Sequence, residues 1–537
     1  TFSKGGDYSK FYIALPLMIN WGKNAEELEA ALLKKFPYLG ESANWVIHRE
    51  CSYRSPGISW SGRSLSGLSF RALPSGVIFS DIGPAAFCND FDIGETSKLL
   101  ALCNSRAFES LVELQISAAR FQIGAIQNTP LPSTSDIQKD SLGALARCAW
   151  SRKRALDSIE ETSHAFLLPE ALRARLGDYS PQAIEAEVAN IQAKIDDIAF
   201  DLYGFSDADR AAVQIRQGTA SDDECETSPD DEGDDADSVV PIDRTTGLLS
   251  WAVGVAFGRF DWRLAIGKRA APAAPEPFDP LPERSPGMLL DGAEPFHAHT
   301  GILVDHQGHP NDLVHLIEEV LGRVDMPVPD DVRRWLQRDF FAFHLQRYSK
   351  SRRKAPIYWP LATASGGYTL WIYYPTLKNQ TLFTAVNDFL DGPNGKLTQV
   401  SRECTELRVK SGGRSRDEEK KFETLQIFEQ ELTDLRDTLL KIAPTYHPNH
   451  NDGVQITAAP LWPLFRHKPW QKVLKDTWAK LEKGEYDWAH LAMAYWPERV
   501  REKCKIDKSL AIAHGLETLY VKRDAVTKKT RGKKKGQ

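Results

Sequence analysis

The chain has 537 residues, 42% hydrophobic and 26% charged, a composition that fits a globular protein of three or four domains rather than a single core. No apolar run reaches the roughly eighteen residues that a membrane-spanning helix needs, and the first residues do not read as a signal peptide. The seven cysteines (51, 88, 103, 148, 225, 404 and 504) form no C-x-x-C pair, which argues against a disulfide framework or a zinc-thiolate site and for a reducing cytoplasm.

The formal charge of −6 is unevenly spread. Ten of the sixteen residues from 222 to 237 are acidic, so without them the rest of the chain stands at +4. That acidic segment has too little apolar surface to offset its ordering entropy and is expected to be a disordered loop. A lysine-rich tail, 522–535, carries much of the remaining positive charge.

In chain order, residues 53–87 read as short strands separated by turns at Pro56-Gly57, Ser61-Gly62, Pro74-Ser75-Gly76 and Gly83-Pro84. A helix is expected over 97–114, with Leu99, Leu102, Phe108, Leu111 and Leu114 on one stripe, and another over 141–157. Ile184, Val188, Ile191, Ile195, Ile198 and Leu202 form a heptad seam, and Gly204 stands where a helix stop belongs. A second seam runs through Phe422, Leu425, Phe428, Leu432, Leu435, Leu439 and Ile442. Each is either an amphipathic helix on its own core or a spacer between DNA-contacting lobes.

Between the seams lie an apolar, glycine-bearing segment (248–260), a Pro/Ala linker (270–286), a helix near 313–322 and a helical stretch over 330–348. The β-branched and aromatic run 368–374 is a strand. The fold class is therefore mixed α/β with helical, coiled-coil-like spacers. The expected divisions are 1–135, 136–220 (helical spacer), 221–240 (acidic loop), 241–330, 331–445, 446–520 (helical) and 521–537 (basic tail).

Few residues carry obvious chemistry. Transfer of a methyl group to an adenine amino nitrogen needs a glycine-rich turn for S-adenosylmethionine and a Pro-Pro-aromatic loop that holds the flipped base. The sequence has no Pro-Pro dipeptide, and Gly254 to Gly258 is not a G-x-G turn, so no catalytic residue is assigned. His297, His299, Asp305, His306 and His309 read either as a metal site or as a loop with turn residues. The second is preferred because ligand spacing on a helix or strand is missing, and no metal is assigned. His447 and His450, beside the turn Asp452-Gly453, are judged the same way.

For nucleic acid the richest segment is 347–354, with five cations in eight residues; Lys350, Arg352, Arg353 and Lys354 suit a phosphate-tracking edge. Tyr358 and Trp359 are suited either to stacking on bases or to a core. Arg54, Arg63 and Arg71, spaced among Ser and Gly, are suited either to reading base edges or to decorating a surface.

Several stretches together resemble one family. YRSPGISW (53–60), FRALPSGVIF (70–79) and GPAAF (83–87) resemble the target-recognition region of PglX-type adenine methyltransferases of BREX phage-defence systems, and related DISARM methylases. LLALCNSRAF (99–108) and QNTPLP (127–132) look like the end of such a domain, and the former is also similar to restriction-enzyme specificity subunits. Further matches run through ETSHAFLLP (161–169), RRKAPIYW (352–359), NDG (451–453) and YDWAHL (486–491).

The resemblance implies a methyltransferase domain upstream of Thr1 that binds S-adenosylmethionine and methylates adenine N6. This chain would grip double-stranded DNA and choose the sequence. The alternative is a non-catalytic scaffold that uses its heptad seams to dock other defence proteins.

Overall fold

The computed structural model describes residues 1–49, 51–116, 120–177, 179–216, 243–350, 353–410 and 414–521. The acidic segment and the lysine tail lie outside them. The architecture is mixed α/β, dominated by helices, with small sheets of two or three strands. Two compact units form, each discontinuous in sequence. The first gathers Thr1–Ile19, Glu50–Trp359 and Tyr368–Tyr373; the second gathers Asn20–Arg49, Pro360–Gly367 and the chain from Tyr374 onward.

In the first unit the turn-rich region forms a three-stranded antiparallel sheet. Gly57–Trp60 is central, flanked by Phe70–Leu73 and Ala85–Ala86. Trp60 and Phe70 pack at 5.3 Å, and Phe70 meets Phe108 of the next helix at 6.0 Å. Gly83 approaches the Gly5 backbone so closely that a Cβ there would stand 2.3 Å from the Gly5 nitrogen, which only glycine permits.

The single helix expected over 97–114 is two helices, Ile93–Cys103 and Arg106–Glu113. Asn104 divides them. Its side-chain amide donates to the Phe70 carbonyl at 2.8 Å and to Leu100 O at 2.9 Å, while its oxygen accepts the Phe70 N–H at 2.9 Å. Ser105 then caps the second helix through Phe108 N. The next helix, Asp136–Leu156, starts five residues earlier than periodicity suggests, because Ser135 and Gln138 form a capping box.

Both heptad helices are present, and each buries its seam on its own unit. Pro181–Tyr203 ends at Gly204 in the left-handed region and packs against Asp136–Leu156 and Arg106–Glu113, with Ile191 and Ile195 in the core. Arg416–Ile442, in the second unit, buries Phe422, Leu432, Leu435 and Leu439 against Lys396–Val409 and Thr381–Phe389.

The apolar segment 248–260 is mainly the helix Arg244–Ala256, capped by Asp243. A Cβ on Gly254 would stand 2.3 Å from the Phe260 ring, so this glycine serves close packing. The stretch 330–348 is again two helices, Val332–Arg338 and Phe340–Arg347. The strand Thr369–Tyr373 is fully buried and pairs antiparallel with Ile302–Val304.

In the second unit, the excursion 20–49 returns a helix, Gly22–Lys35, to pack on Lys508–Ala513 near the other end of the chain. Lys23 pairs with Glu517 at 2.8 Å, and Lys34 with Asp507 at 2.5 Å. No described helix is long and apolar enough to cross a membrane.

Candidate nucleic-acid interface

The cation-rich stretch after Arg347 folds as a β-hairpin, Ser349–Lys350 against Arg353–Lys354, with Lys350 opposite Arg353. Lys350 and Arg353 are exposed and Lys354 is half-buried. Arg352 lies outside the described residues. Arg347, at the foot of the hairpin, is committed elsewhere: its guanidinium is hydrogen-bonded to Glu160. Tyr358 and Trp359 are 1% and 0% exposed, so they are core and not a stacking platform.

The hairpin is tethered at Lys350, whose Nζ lies 3.4 Å from the Asp7 carboxylate. The same segment, Gly5–Asp7, is held from beneath by Arg71. Its Nη1 donates to the carbonyls of Gly5 (3.3 Å) and Asp7 (3.4 Å), and its Nη2 donates to Ser61 Oγ at 2.5 Å. Gly6 passes directly over this guanidinium, with φ at +124°. Arg71 is only 1% exposed. Burial pushes it down to about 10, with the Asp7 charge opposing the shift. The reading of Arg71 as a base-contacting side chain gives way to a buried tether, because its strand is covered on both faces.

Arg54 and Arg63 are exposed. Arg54 adopts a left-handed φ of +67°, pinned by bonds from its N–H to Val77 O and from Gly76 N–H to its carbonyl. Arg63 sits in the loop 61–67 that joins the strands Gly57–Trp60 and Phe70–Leu73. The loop's ends are fixed: Gly62 N donates to Ile82 O, Phe121 N to Gly62 O, and Leu68 N to the Glu109 carboxylate. Leu65, at its tip, is 87% exposed.

Across an antiparallel bridge Arg63 faces Arg120, which is also exposed. Like charges placed directly opposite one another disfavour each other, and an anion between them reverses the sign. Sequence reasoning missed Arg120, Leu65 and Asp7. No local pattern links positions 63 and 120, and a lone exposed leucine in a serine-glycine loop looks like noise without the fold.

The histidine loop has structural partners. His297 pairs with Asn311 Oδ1 at 2.8 Å, and His299 Nδ1 accepts the Gly301 N–H at 2.9 Å. Burial depresses His299 to about 4. Asp305 and Asp312 are both engaged by Arg333, and Gln337 donates to Asp305 at 2.6 Å. In the second unit, Asp452 accepts the N–H groups of His490 and Leu491 at 2.8 Å each, and Gly453 turns at φ +80°.

The chain is similar to adenine-specific methyltransferases. It is 24% identical over 427 residues to the adenine-specific methyltransferase PglX of Lacticaseibacillus casei (strain Zhang), an alignment covering 71% of this chain and 32% of that protein. It is 24% identical over 215 residues to the adenine-specific methyltransferase BrxX of Escherichia coli O9:H4 (strain HS), covering 38% of this chain and 16% of that protein. The chain thus spans about a third of the PglX relative's length or less. No family model matches it. Similarity to PglX and BrxX supports a PglX-type relationship and a methyltransferase-related role.

Proposed function

We propose that this chain is the DNA-binding, sequence-recognising, carboxy-terminal region of an S-adenosylmethionine-dependent adenine-N6 DNA methyltransferase serving phage defence. The observation that carries this reading is the pair of exposed arginines, Arg63 and Arg120, opposed across a bridge at the root of a pinned loop. Arginine in that position offers a planar donor fork to a phosphate or to a guanine edge. Leu65 at the loop tip suits an apolar wedge against a base step.

The hairpin at Lys350, Arg353 and Lys354 supplies sequence-independent contacts to phosphates. The loop 61–67, with Arg120 and Arg54, carries the choice of sequence. Arg71 acts through both, by fixing the segment against which the hairpin rests. Cofactor and methyl transfer belong to the catalytic domain that the PglX-type relationship implies. The scaffold reading needs free apolar seams, whereas Ile191, Ile195, Leu432, Leu435 and Leu439 are buried.

The test is selection of this chain on a pool of random duplexes. Enrichment of a short motif supports the reading, together with disappearance of that enrichment in Arg63→Ala and Arg120→Ala. Failure to bind duplex DNA at low salt, or binding with no enriched motif, overturns it.

A further inference from the structure

We propose that the second unit carries its own phosphate-tracking surface for duplex DNA, on the solvent face of the helix Lys468–Lys483. Trp470, Leu474, Thr477 and Leu481 are buried and hold this helix to the segment Ala459–Leu464. Lys468, Lys472, Lys475, Lys480 and Lys483 are all exposed. At about 100° per residue the five lysines fall within an arc of about 140°, opposite the buried stripe. Asp476 shares that arc and Glu482 borders it, so lysine outweighs acid on the face.

These lysines contrast with many cations of the unit that sit in ion pairs. Lys23, Lys34, Arg49, Lys421, Arg436, Arg499, Lys503 and Lys505 each pair with a carboxylate. The five on the helix have no ion pair with any described residue. Two are steered by aromatic rings instead: Lys475 Nζ lies 5.1 Å from the Trp462 ring centroid, and Lys480 Nζ lies 5.8 Å from that of Tyr486. A ring face orients an ammonium without neutralising it.

From Lys468 to Lys483 the helix rises about 22 Å. That length matches the phosphates of about six or seven base pairs along one strand. Compact ammonium groups on flexible stems suit contacts that position a protein without reading bases. The occupant is therefore the duplex backbone. The inference rests on the DNA-binding reading above, but uses none of the residues assigned there.

The experiment replaces all five lysines by alanine in the full chain and measures affinity for a 30-base-pair duplex across salt concentrations. The expected result is a log-affinity versus log-salt slope flattened by up to about 4.5, near 0.9 for each phosphate no longer neutralised. Sequence preference and melting temperature should be unchanged, and a Lys→Arg version should keep the wild-type slope. A wild-type slope and affinity in the alanine variant overturn the inference. If the hairpin variant Lys350→Ala, Arg353→Ala, Lys354→Ala flattens the slope in parallel, the DNA-binding reading stands without it. If the unsubstituted chain binds no duplex, both fall. Lysine-dependent capture by phosphatidylserine vesicles, with the DNA slope unmoved, reassigns the face to a lipid surface and also overturns the inference.

Discussion

Lys350 Nζ lies 3.4 Å from the Asp7 carboxylate, while the carbonyl of the same Asp7 accepts Nη1 of buried Arg71 at 3.4 Å. One residue thus joins the hairpin to the sheet beneath it. Its carboxylate occupies a cation that, under the proposed function, a phosphate would use, so duplex DNA bound there would displace it. Asp7→Asn is expected to raise non-specific duplex affinity at low salt by about two- to fivefold, the range of an exposed ion pair. Titration of an arbitrary duplex checks this, and weaker binding would show that Asp7 holds the hairpin in place.

Replacing Lys350, Arg352, Arg353 and Lys354 together by alanine should flatten the log-affinity versus log-salt slope by up to about three or four. Motif preference should survive, because phosphate contacts carry no sequence information. Salt titrations on a motif-bearing and a scrambled duplex measure both quantities. A slope identical to wild type would make the hairpin a solvated surface only.

Arg63→Ala, Arg120→Ala or Arg54→Ala should do the reverse. Removing one arginine from a base edge narrows the affinity gap between the motif and its mutated versions by about 1–3 kcal/mol, with at most a one-unit change in slope. Competition binding on single-base variants gives the answer. If the gap is unchanged for all three, base readout lies elsewhere.

Arg71→Met should lower stability rather than touch DNA directly. The substitution takes this donor from the Gly5 and Asp7 carbonyls and leaves Ser61 Oγ only its bond to the Gly6 carbonyl, with an expected loss of about 2–4 kcal/mol in urea unfolding. Duplex affinity should fall less, through the loosened Lys350 hairpin. Unaltered unfolding would show that the tether contributes nothing.

Stability should decline as pH falls below 6.5. Buried His344, whose Nε2 accepts the N–H groups of Ile357 and Tyr358, is held well below its ordinary value by burial and by the charge of Arg259. His299 is pushed down to about 4 by burial. Both bind protons more readily when unfolded, so unfolding is favoured as pH drops from 6.5 toward 4. For His299, whose value falls from the ordinary 6.5 to about 4, the expected loss between pH 6.5 and 5 is about 2 kcal/mol, and His344 adds a loss of the same sign. Urea unfolding at pH 7.5 and 5 reads it directly, and His344→Gln should flatten the dependence. Equal stability at the two pH values would contradict it.

Local pattern determined a good deal of this protein. The heptads at 184–202 and 422–442 gave two long helices, the Gly/Pro turns between 53 and 87 gave a small antiparallel sheet, and the charge density at 347–354 marked an exposed hairpin. These features are legible because apolar period and turn chemistry act over a few residues. Other features depended on partners far away in sequence. Asn104 breaks a helix because it reaches the backbone of Phe70. Arg71 turns inward because both faces of its strand are covered, so alternation leaves no outward position. Arg120 becomes a neighbour of Arg63 only once strands pair, and residues 20–49 join the far end of the chain through helix packing and three lysine–carboxylate pairs. Periodicity states which side of an element avoids water; it does not state what that side meets, and here the meeting partners separate a buried tether such as Arg71 from an exposed arginine such as Arg120.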